Sequence, residues 1–587
     1  MASNRVLFPF LFFLLFIMLF PALLYYFTAA HTIQANDSSE LLASAVNLQV
    51  AHPPGFPLFS WLYHLPLTLG DAQSVAYRGS LFTAFLALLT LLCLFKLCTH
   101  HGQSPLVSCL ALLPLATSHL FWKYAIIPEV FMLNNLIIAL FFYLYFTQNN
   151  CPLLLTIIFA LGMCNHHTTI FLLPPLLHAH YKLPLKKIFL HIFVMATIVA
   201  LFYYSLLLLH PNSRFSWGLL QTPLDIYNHF LRKEYGSFQL HGHSFAAATT
   251  FAPLPIIYFF FQSILLDLWP TLLLAVITLL SPIALNRKIL ITLLSFVLYL
   301  IIFFSLSNLP LTQEWIPILE RFFLFPMLLL VILACIGVAK AKNHFLLLGV
   351  SLVISTSINL YQNFQKNDYS QNTIIEDYAK NLMAMIAVNN KTPVIIANND
   401  TQYFSLLYLQ AVLKINPHAL IFSQGMFFDL QLYKKLAPLY PKINFPQTVP
   451  SDKDILKHFI IPNLAFADFY LFKNFNDSKN FKLTFLPLAR KIEEGSQLYF
   501  DESSRSQLSF RHSPSLITHR NPSYFVEQEL FSEYAYFYLA YGKHHGGAKA
   551  IHAYKKALAL VPYCLPALTN LCILEASNEL CTTRSFK

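Results

Sequence analysis

The sequence predicts an α-helical polytopic membrane protein of about eleven transmembrane helices, followed by a small extracytoplasmic α/β domain and a short helical tail. Three observations carry this expectation. The 587-residue chain is 56% hydrophobic and 11% charged, whereas a soluble domain averages about 25% charged residues. Residues 1–360 hold only 24 of its 65 charged residues, and residues 361–587 hold the other 41. Apolar runs of about 20 residues, the length that crosses a bilayer core, recur through the first part. A soluble enzyme, a disordered chain and a disulfide scaffold are excluded. The net charge of +11 lacks the basic cluster of a nucleic-acid binder and reads as membrane-surface charge.

The expected spans are 7–28, 74–96, 104–120, 124–146, 151–164, 166–181, 188–209, 256–282, 289–306, 322–339 and 343–360, the fifth and sixth being short. The first is long for a signal peptide and is followed by further spans, so it reads as an uncleaved helix. Lys and Arg in short loops set orientation. An N-terminus inside places Arg5, Lys96, Lys182, Lys186, Lys187, Arg287, Lys288, Lys340 and Lys342 on the cytoplasmic side. The other face receives Lys123, Arg214, Arg232, Lys233 and Arg321. An odd span count then sends residues 361–587 outside. If the source is bacterial, the membrane is the cell inner membrane. Most acidic residues of the first part also fall outside: Asp37, Glu40, Asp71, Asp225, Glu234, Glu314 and Glu320. Acidic residues do not set topology, so a polar working face on the outer side is the simplest cause.

The first outer loop runs Asn36-Asp37-Ser38-Ser39-Glu40, then a short helical stretch ended by His52-Pro53-Pro54-Gly55, since proline cannot continue a helix. Asp37 and Glu40 have the spacing of a helix cap with Glu at the third helical position. They also form a carboxylate pair beside a lipid surface, where a base can deprotonate a hydroxyl. The two readings are compatible. Glu129 is an ionisable group within a span, which marks it as a functional candidate, with pairing to Lys123 or Arg78 as the alternative. No His/Asp/Glu spacing specifies a metal, no Gly-rich phosphate loop implies a nucleotide, and the nine cysteines show no CxxC. A divalent metal is therefore left open.

These residues resemble the DUF2723 family of GT-C-type membrane glycosyltransferases, whose characterised animal relative is a mannosyltransferase acting on protein hydroxyls. The match begins at Asp37 and the AHPPGFPL segment (51–58), with Ser39 where the family usually has Gly. It continues through Ala76-Tyr77-Arg78, Trp122, Pro128-Glu129-Val130, Gly162, Asn165-His166, Ser216-Trp217-Gly218, His229–Gly236 and Glu320-Arg321-Phe322-Phe323. Leu209-His210-Pro211 replaces the family's Leu-Arg-Ser. The resemblance covers roughly residues 5–435. It implies a GT-C-like membrane domain that transfers a sugar from a polyprenyl-phosphate donor to a hydroxyl of a protein, glycan or lipid on the outer face. Asp37 and Glu40 are then the catalytic carboxylates, with Asp37 as base. Arg232, Arg321 and His166 are candidates for binding the donor phosphate. His52, Glu129, Trp217 and Tyr235 are candidate acceptor or sugar contacts. The rival expectations are a transporter or flippase of lipid-linked saccharides and an inactive scaffold.

Residues 361–372 read as a polar linker. Residues 373–500 alternate helix and strand, as a small α/β domain does. The turn Asn398–Gln402 lies at a strand C-terminus, where such domains bind ligands, although a helix-capping loop is the favoured reading. Residues 501–527 read as a loop. Residues 528–580 resemble tetratricopeptide repeats through Tyr534, Tyr541, Ala550, Tyr554, Ala557 and Pro562. Such a short array needs a neighbour or a protein partner to pack on.

Overall fold

The computed structural model describes residues 2–581 except 149–150, 210–212, 238–252, 283–285, 308, 338–344, 387–388, 451–453, 472–480, 495–497, 502–507, 512–524, 563, 576–577 and 579–580. The chain forms two compact units. One comprises Met1–His31 and Ser44–Gln371, the other Thr32–Ala43 and Asn372–Lys587.

The first unit is helical. Its elements are α1 (Ala2–Thr28), the second half of α2 (Ser38–Asn47), α3 (Pro57–Thr68), α4 (Val75–His100), α5 (Pro105–Thr117), α6 (His119–Ile126), α7 (Val130–Thr147), α8 (Pro152–Met163), α9 (Leu173–His180), α10 (Leu185–Tyr204), α11 (Pro223–Phe230), α12 (Pro253–Leu280), α13 (Arg287–Leu298), α14 (Phe304–Ser307), α15 (Ile316–Glu320), α16 (Leu324–Gly337) and α17 (Phe345–Asn367). Among the described residues, six helical segments are long and apolar enough to cross a membrane, or seven if the bent pair α5–α6 counts as one span. This is a multi-pass membrane protein. Among the described residues each of the eleven apolar runs overlaps helix, but not all have the length of a span: α8 has 12 residues, and the run at 166–181 breaks into a 3₁₀ segment (His167–Leu172) and the eight residues of α9.

The α5–α6 pair bends by 73° at Ser118, whose backbone is extended. A broken helix inside a bilayer frees backbone groups that must be satisfied internally. The buried carboxylate of Asp267 on α12 accepts the His119 N–H at 2.6 Å. A stripe of asparagines on α17, spaced four apart, takes carbonyls on both sides of the break. Asn359 donates to Pro114 O (3.1 Å), Asn363 to Thr117 O (3.2 Å) and Asn367 to His119 O (3.2 Å). Asn363 also donates to Asp267 Oδ1. The mid-membrane acid is thus bound into a helix break. The expected linker at 361–372 is helical through Asn367, because its polar residues are this glue.

The second unit holds the first half of α2 with the α/β domain. In chain order this domain has α18 (Ile374–Met385), β1 (Thr392–Ala397), α19 (Asp400–Ala411), β2 (Leu420–Ser423), α20 (Leu430–Leu436), α21 (Ile461–Asn463), β3 (Ala467–Leu471), β4 (Phe481–Phe485), β5 (Arg490–Glu494) and β6 (Leu498–Phe500). The strands form one sheet in the order β2-β1-β3-β5-β4-β6. β1 lies parallel to both neighbours, pairing Val394 with Leu420 and with Phe469. Its apolar run Val394–Ala397 is buried on both faces, as a central parallel strand requires. The tail is α22 (Phe525–His545), α23 (Gly547–Leu560) and α24 (Leu565–Leu574). Ala550 and Ala557 are fully buried, and a Cβ on Gly542 would meet the Tyr554 ring at 2.5 Å, so small residues set this close helix packing. A disulfide joins Cys572 to Cys581 and leaves Cys564 as a thiol. Most of the expected loop 501–527 lies outside the described residues.

Candidate active site

The carboxylate loop belongs to the second unit. Asp37 immediately precedes α2, and its carbonyl accepts the Leu41 N–H at 2.9 Å, so it occupies the cap position. Glu40 stands in the first turn and is buried. Ser39 does not need glycine's freedom: it lies within the helix, buried, and its hydroxyl donates to Gln34 O at 3.3 Å. The turn into the helix is made at Asn36, with φ 65°, a conformation asparagine tolerates. The loop is stitched to its own unit. Thr32 Oγ1 and Gln34 Nε2 donate to Asn372 O (2.8 and 3.1 Å), and Asn36 N–H donates to Thr401 Oγ1 (3.3 Å).

The first unit contains a cavity of about 330 Å³. Phe171, Ile302, Phe303, Leu306 and Phe322 contribute apolar walls, and His166, His167 and Arg232 contribute polar lining. Arg232 has a left-handed backbone (φ 53°) and its guanidinium lies over the Tyr235 ring at 5.0 Å. His166 is buried against Phe131 and Phe322, with ring centroids 5.2 and 5.9 Å away, and its Nδ1 is bonded to Thr168 Oγ1 at 2.7 Å. Its neighbour His167 packs on Phe230 at 4.8 Å. The His167 Nε2 is buried with no hydrogen-bond partner among the described residues.

Arg321 does not line this cavity. Its Nη1 lies 3.5 Å from Glu129 Oε2, and its guanidinium sits over Phe131 and Phe322. The partner expected for Glu129 was Lys123 or Arg78. Instead Lys123 lies 3.8 Å from Glu320, and the Arg78 guanidinium donates to the carbonyls of Pro66, Leu67 and Asp71. The buried Lys123 and the partly buried Arg321 thus each meet a buried acid, as desolvated charges must.

The segment Ser213–Gly236 folds onto the HPPG turn. Trp217 N–H donates to Val50 O at 2.8 Å, and its indole donates to Glu234 Oε2 at 2.9 Å. His52 stands edge-on to Phe56 and Trp217 (5.1 and 6.0 Å), and Trp217 stacks on Tyr235 at 6.4 Å. His52, Trp217, Tyr235 and Arg232 therefore form one continuous aromatic–cationic strip. His210 and Pro211 lie outside the described residues.

Two residues hold this turn. Gly55 has φ 93°, and a Cβ there would meet Leu206 at 3.0 Å and the His229 ring at 3.1 Å. Gly55→Ala is therefore expected to lower the thermal unfolding midpoint, by a destabilisation of about 1–3 kcal/mol. His229 is buried and its Nε2 donates to Ala51 O at 3.0 Å. Burial pushes its pKa down to about 3, against the opposing pull of the Ala51 carbonyl and with help from His52 and Arg232. The folded pKa lies below the unfolded value of about 6.5, so the unfolded state gains the proton first on acidification. Stability is fully present above about pH 6.5 and falls as pH drops toward about 3. Unfolding midpoints measured from pH 7 to 5 should drop more steeply for wild type than for His229→Gln, by about 2 kcal/mol across that window.

Of the residues singled out in the sequence, Arg232 and His166 line the cavity; His167, which the sequence places at the same interface with a structural role as the simpler reading, lines it too, as does Thr168, which the sequence did not single out. The doublet His166-His167 was the available signal; which ring turns into the cavity depends on the 3₁₀ segment that follows.

Comparison with known proteins agrees with this architecture. Residues 37–188 match the family model described as "Protein O-mannosyl-transferase TMEM260 N-terminal domain". The chain is 24% identical over 521 residues to protein O-mannosyl-transferase tmem260 of Dictyostelium discoideum, covering 76% of this chain and 62% of that protein. It is 26% identical over 461 residues to protein O-mannosyl-transferase TMEM260 of Mus musculus, covering 71% and 63%. It thus spans about three-fifths of the length of these relatives. Among solved structures, apo ArnT from Cupriavidus metallidurans superposes with a TM-score of 0.50 at 12% identity, covering 80% of this chain and 93% of ArnT. The chain is a multi-pass membrane protein with a fold like that of ArnT, and its sequence is similar to protein O-mannosyl-transferases of the TMEM260 kind.

Proposed function

We propose that this protein is a membrane glycosyltransferase that moves a hexose, mannose by analogy with its named relatives, from a polyprenyl-phosphate carrier to an acceptor hydroxyl. The observation that carries the reading is the cavity whose aromatic and aliphatic walls surround Arg232 and His167, a chemistry suited to an isoprenoid chain ending in phosphate. Arg offers a charge-assisted, bidentate grip on phosphate oxygens. His166, held by Thr168, shapes the polar end, and Arg321 acts at longer range through its pairing with Glu129.

In the proposed reaction the acceptor oxygen attacks the anomeric carbon as the bond to the carrier phosphate breaks. The acceptor proton passes to the Asp37 carboxylate, and the electron pair of the broken bond leaves on the phosphate, stabilised by Arg232. One displacement inverts the anomeric centre. Glu40 orients the acceptor or supports the cap, and His52, Trp217 and Tyr235 supply the flat and polar contacts a sugar ring needs. No step calls on a metal ion. The N-terminus is cytoplasmic and the α/β domain extracytoplasmic, a placement supported by the Lys/Arg bias of the short loops and by the Cys572–Cys581 disulfide, a bond that persists in oxidising compartments. The tail reads as a tetratricopeptide-like cap or partner surface, and the acceptor as a protein, glycan or lipid.

The test is transfer in membranes containing the full chain, supplied with a panel of radiolabelled polyprenyl-phosphate sugars. Incorporation of label above that of membranes lacking the chain is the expected result; no incorporation from any donor would count against the reading.

A further inference from the structure

The turn Asn398–Gln402, singled out in the sequence as a strand-end ligand position, meets the carboxylate loop within one unit. We propose that Thr401 is a positioning residue for that loop, so that the α/β domain sets the placement of Asp37 and Glu40. The inference rests on the reading of Asp37 as the base.

The geometry is specific. Thr401 Oγ1 accepts the N–H of Asn36, the residue directly before Asp37 and the one whose left-handed φ of 65° turns the chain into α2. Thr401 is itself rigidly held. It is buried in the first turn of α19, whose cap is Asn399, with Asn399 Oδ1 accepting Gln402 N–H at 2.9 Å. Gln402 Oε1 in turn accepts Asn398 N–H at 2.9 Å. Asn399 Nδ2 donates to Glu529 on α22 at 3.2 Å.

The other end of the loop is fixed in the same manner. Thr32 and Gln34 bond to Asn372 O, and Asn372 Nδ2 donates to Glu527 on α22 at 3.2 Å. One asparagine at each end therefore ties the loop and its clamp to the N-terminal part of α22. Glu40 lies near α19: the hydroxyl of Tyr403 on that helix is held protonated by burial and by the nearby Glu40 and Asp400 carboxylates. A protonated phenol is a hydrogen-bond donor, which suits a neighbour of a buried carboxylate.

Full-length Thr401→Val removes the acceptor at constant shape, and Thr401→Ser restores it. For Thr401→Val, kcat should fall about tenfold with the KM for the lipid-linked donor unchanged, and Thr401→Ser should stay within about twofold of wild type. Hydrogen exchange supplies a readout independent of transfer. Amides of residues 36–41 should exchange about fivefold faster in Thr401→Val, with Ile374–Met385 unchanged. Unaltered exchange at 36–41, or a kcat equal to wild type, would overturn the proposal; so would a loss that Thr401→Ser fails to rescue. Should wild type transfer no sugar, the exchange result alone decides whether Thr401 holds the loop, and only the reading of Asp37 as base fails.

Discussion

Asp37→Asn is expected to lower sugar transfer by at least a hundredfold while leaving the thermal unfolding midpoint within about a degree of wild type. Removing a general base typically costs 10²- to 10⁴-fold. The structural role of Asp37 survives the change, since the Leu41 N–H is accepted by the backbone carbonyl of residue 37 and asparagine caps a helix about as well as aspartate. The two readings of this residue therefore separate cleanly. A helix cap alone gives a variant of full activity; a base gives a folded, inactive one. Glu40 is buried, so Glu40→Gln keeps the shape and asks whether its charge is needed.

The second large effect is at Arg232. Arg232→Gln should raise the KM for the lipid-linked donor by roughly tenfold to a hundredfold, the worth of a charged hydrogen bond, with less change in the KM for the acceptor. Glutamine keeps a long polar side chain at a position whose φ of 53° penalises β-branched residues, and Arg232→Lys should restore part of the affinity. Arg321→Gln should behave differently. It removes the guanidinium that lies 3.5 Å from the buried Glu129 carboxylate, and breaking a buried pair costs about 3–5 kcal/mol, so the loss should appear first as a lower unfolding midpoint. Donor KM and unfolding temperature, measured on both variants, distinguish a ligand-binding arginine from a structural one.

Much of this was legible in the sequence because it depended on local pattern. Apolar run length located the helices, and alternation located β1, β2 and the helices beside them to within a few residues. The candidate site was legible only in its parts. Asp37 and Arg232 are recognisable as types in context, but the bond between Asn36 and Thr401 joins positions 365 residues apart, and no periodicity encodes it. Burial likewise settled the pairing of Glu129 with Arg321 over Lys123. The stretch 361–372, expected as a polar linker, is helical through Asn367 for an instructive reason. Asparagine is common in loops, yet inside a bilayer a stripe of asparagines can satisfy a broken neighbour, and the bend between α5 and α6 that demands it is invisible in composition. Asp267 belongs to the same arrangement: its carboxylate holds the N–H of His119 at the break.

The central claim is chemical transfer from a lipid phosphate. The most direct test uses the purified full-length chain in liposomes carrying a polyprenyl-phosphate hexose labelled in the sugar, with acceptor outside, following label on acceptor and on lipid in each leaflet. The account predicts label on the acceptor with inverted anomeric configuration, abolished in Asp37→Asn. Movement of intact labelled lipid between leaflets with none reaching the acceptor would contradict it and identify a flippase instead.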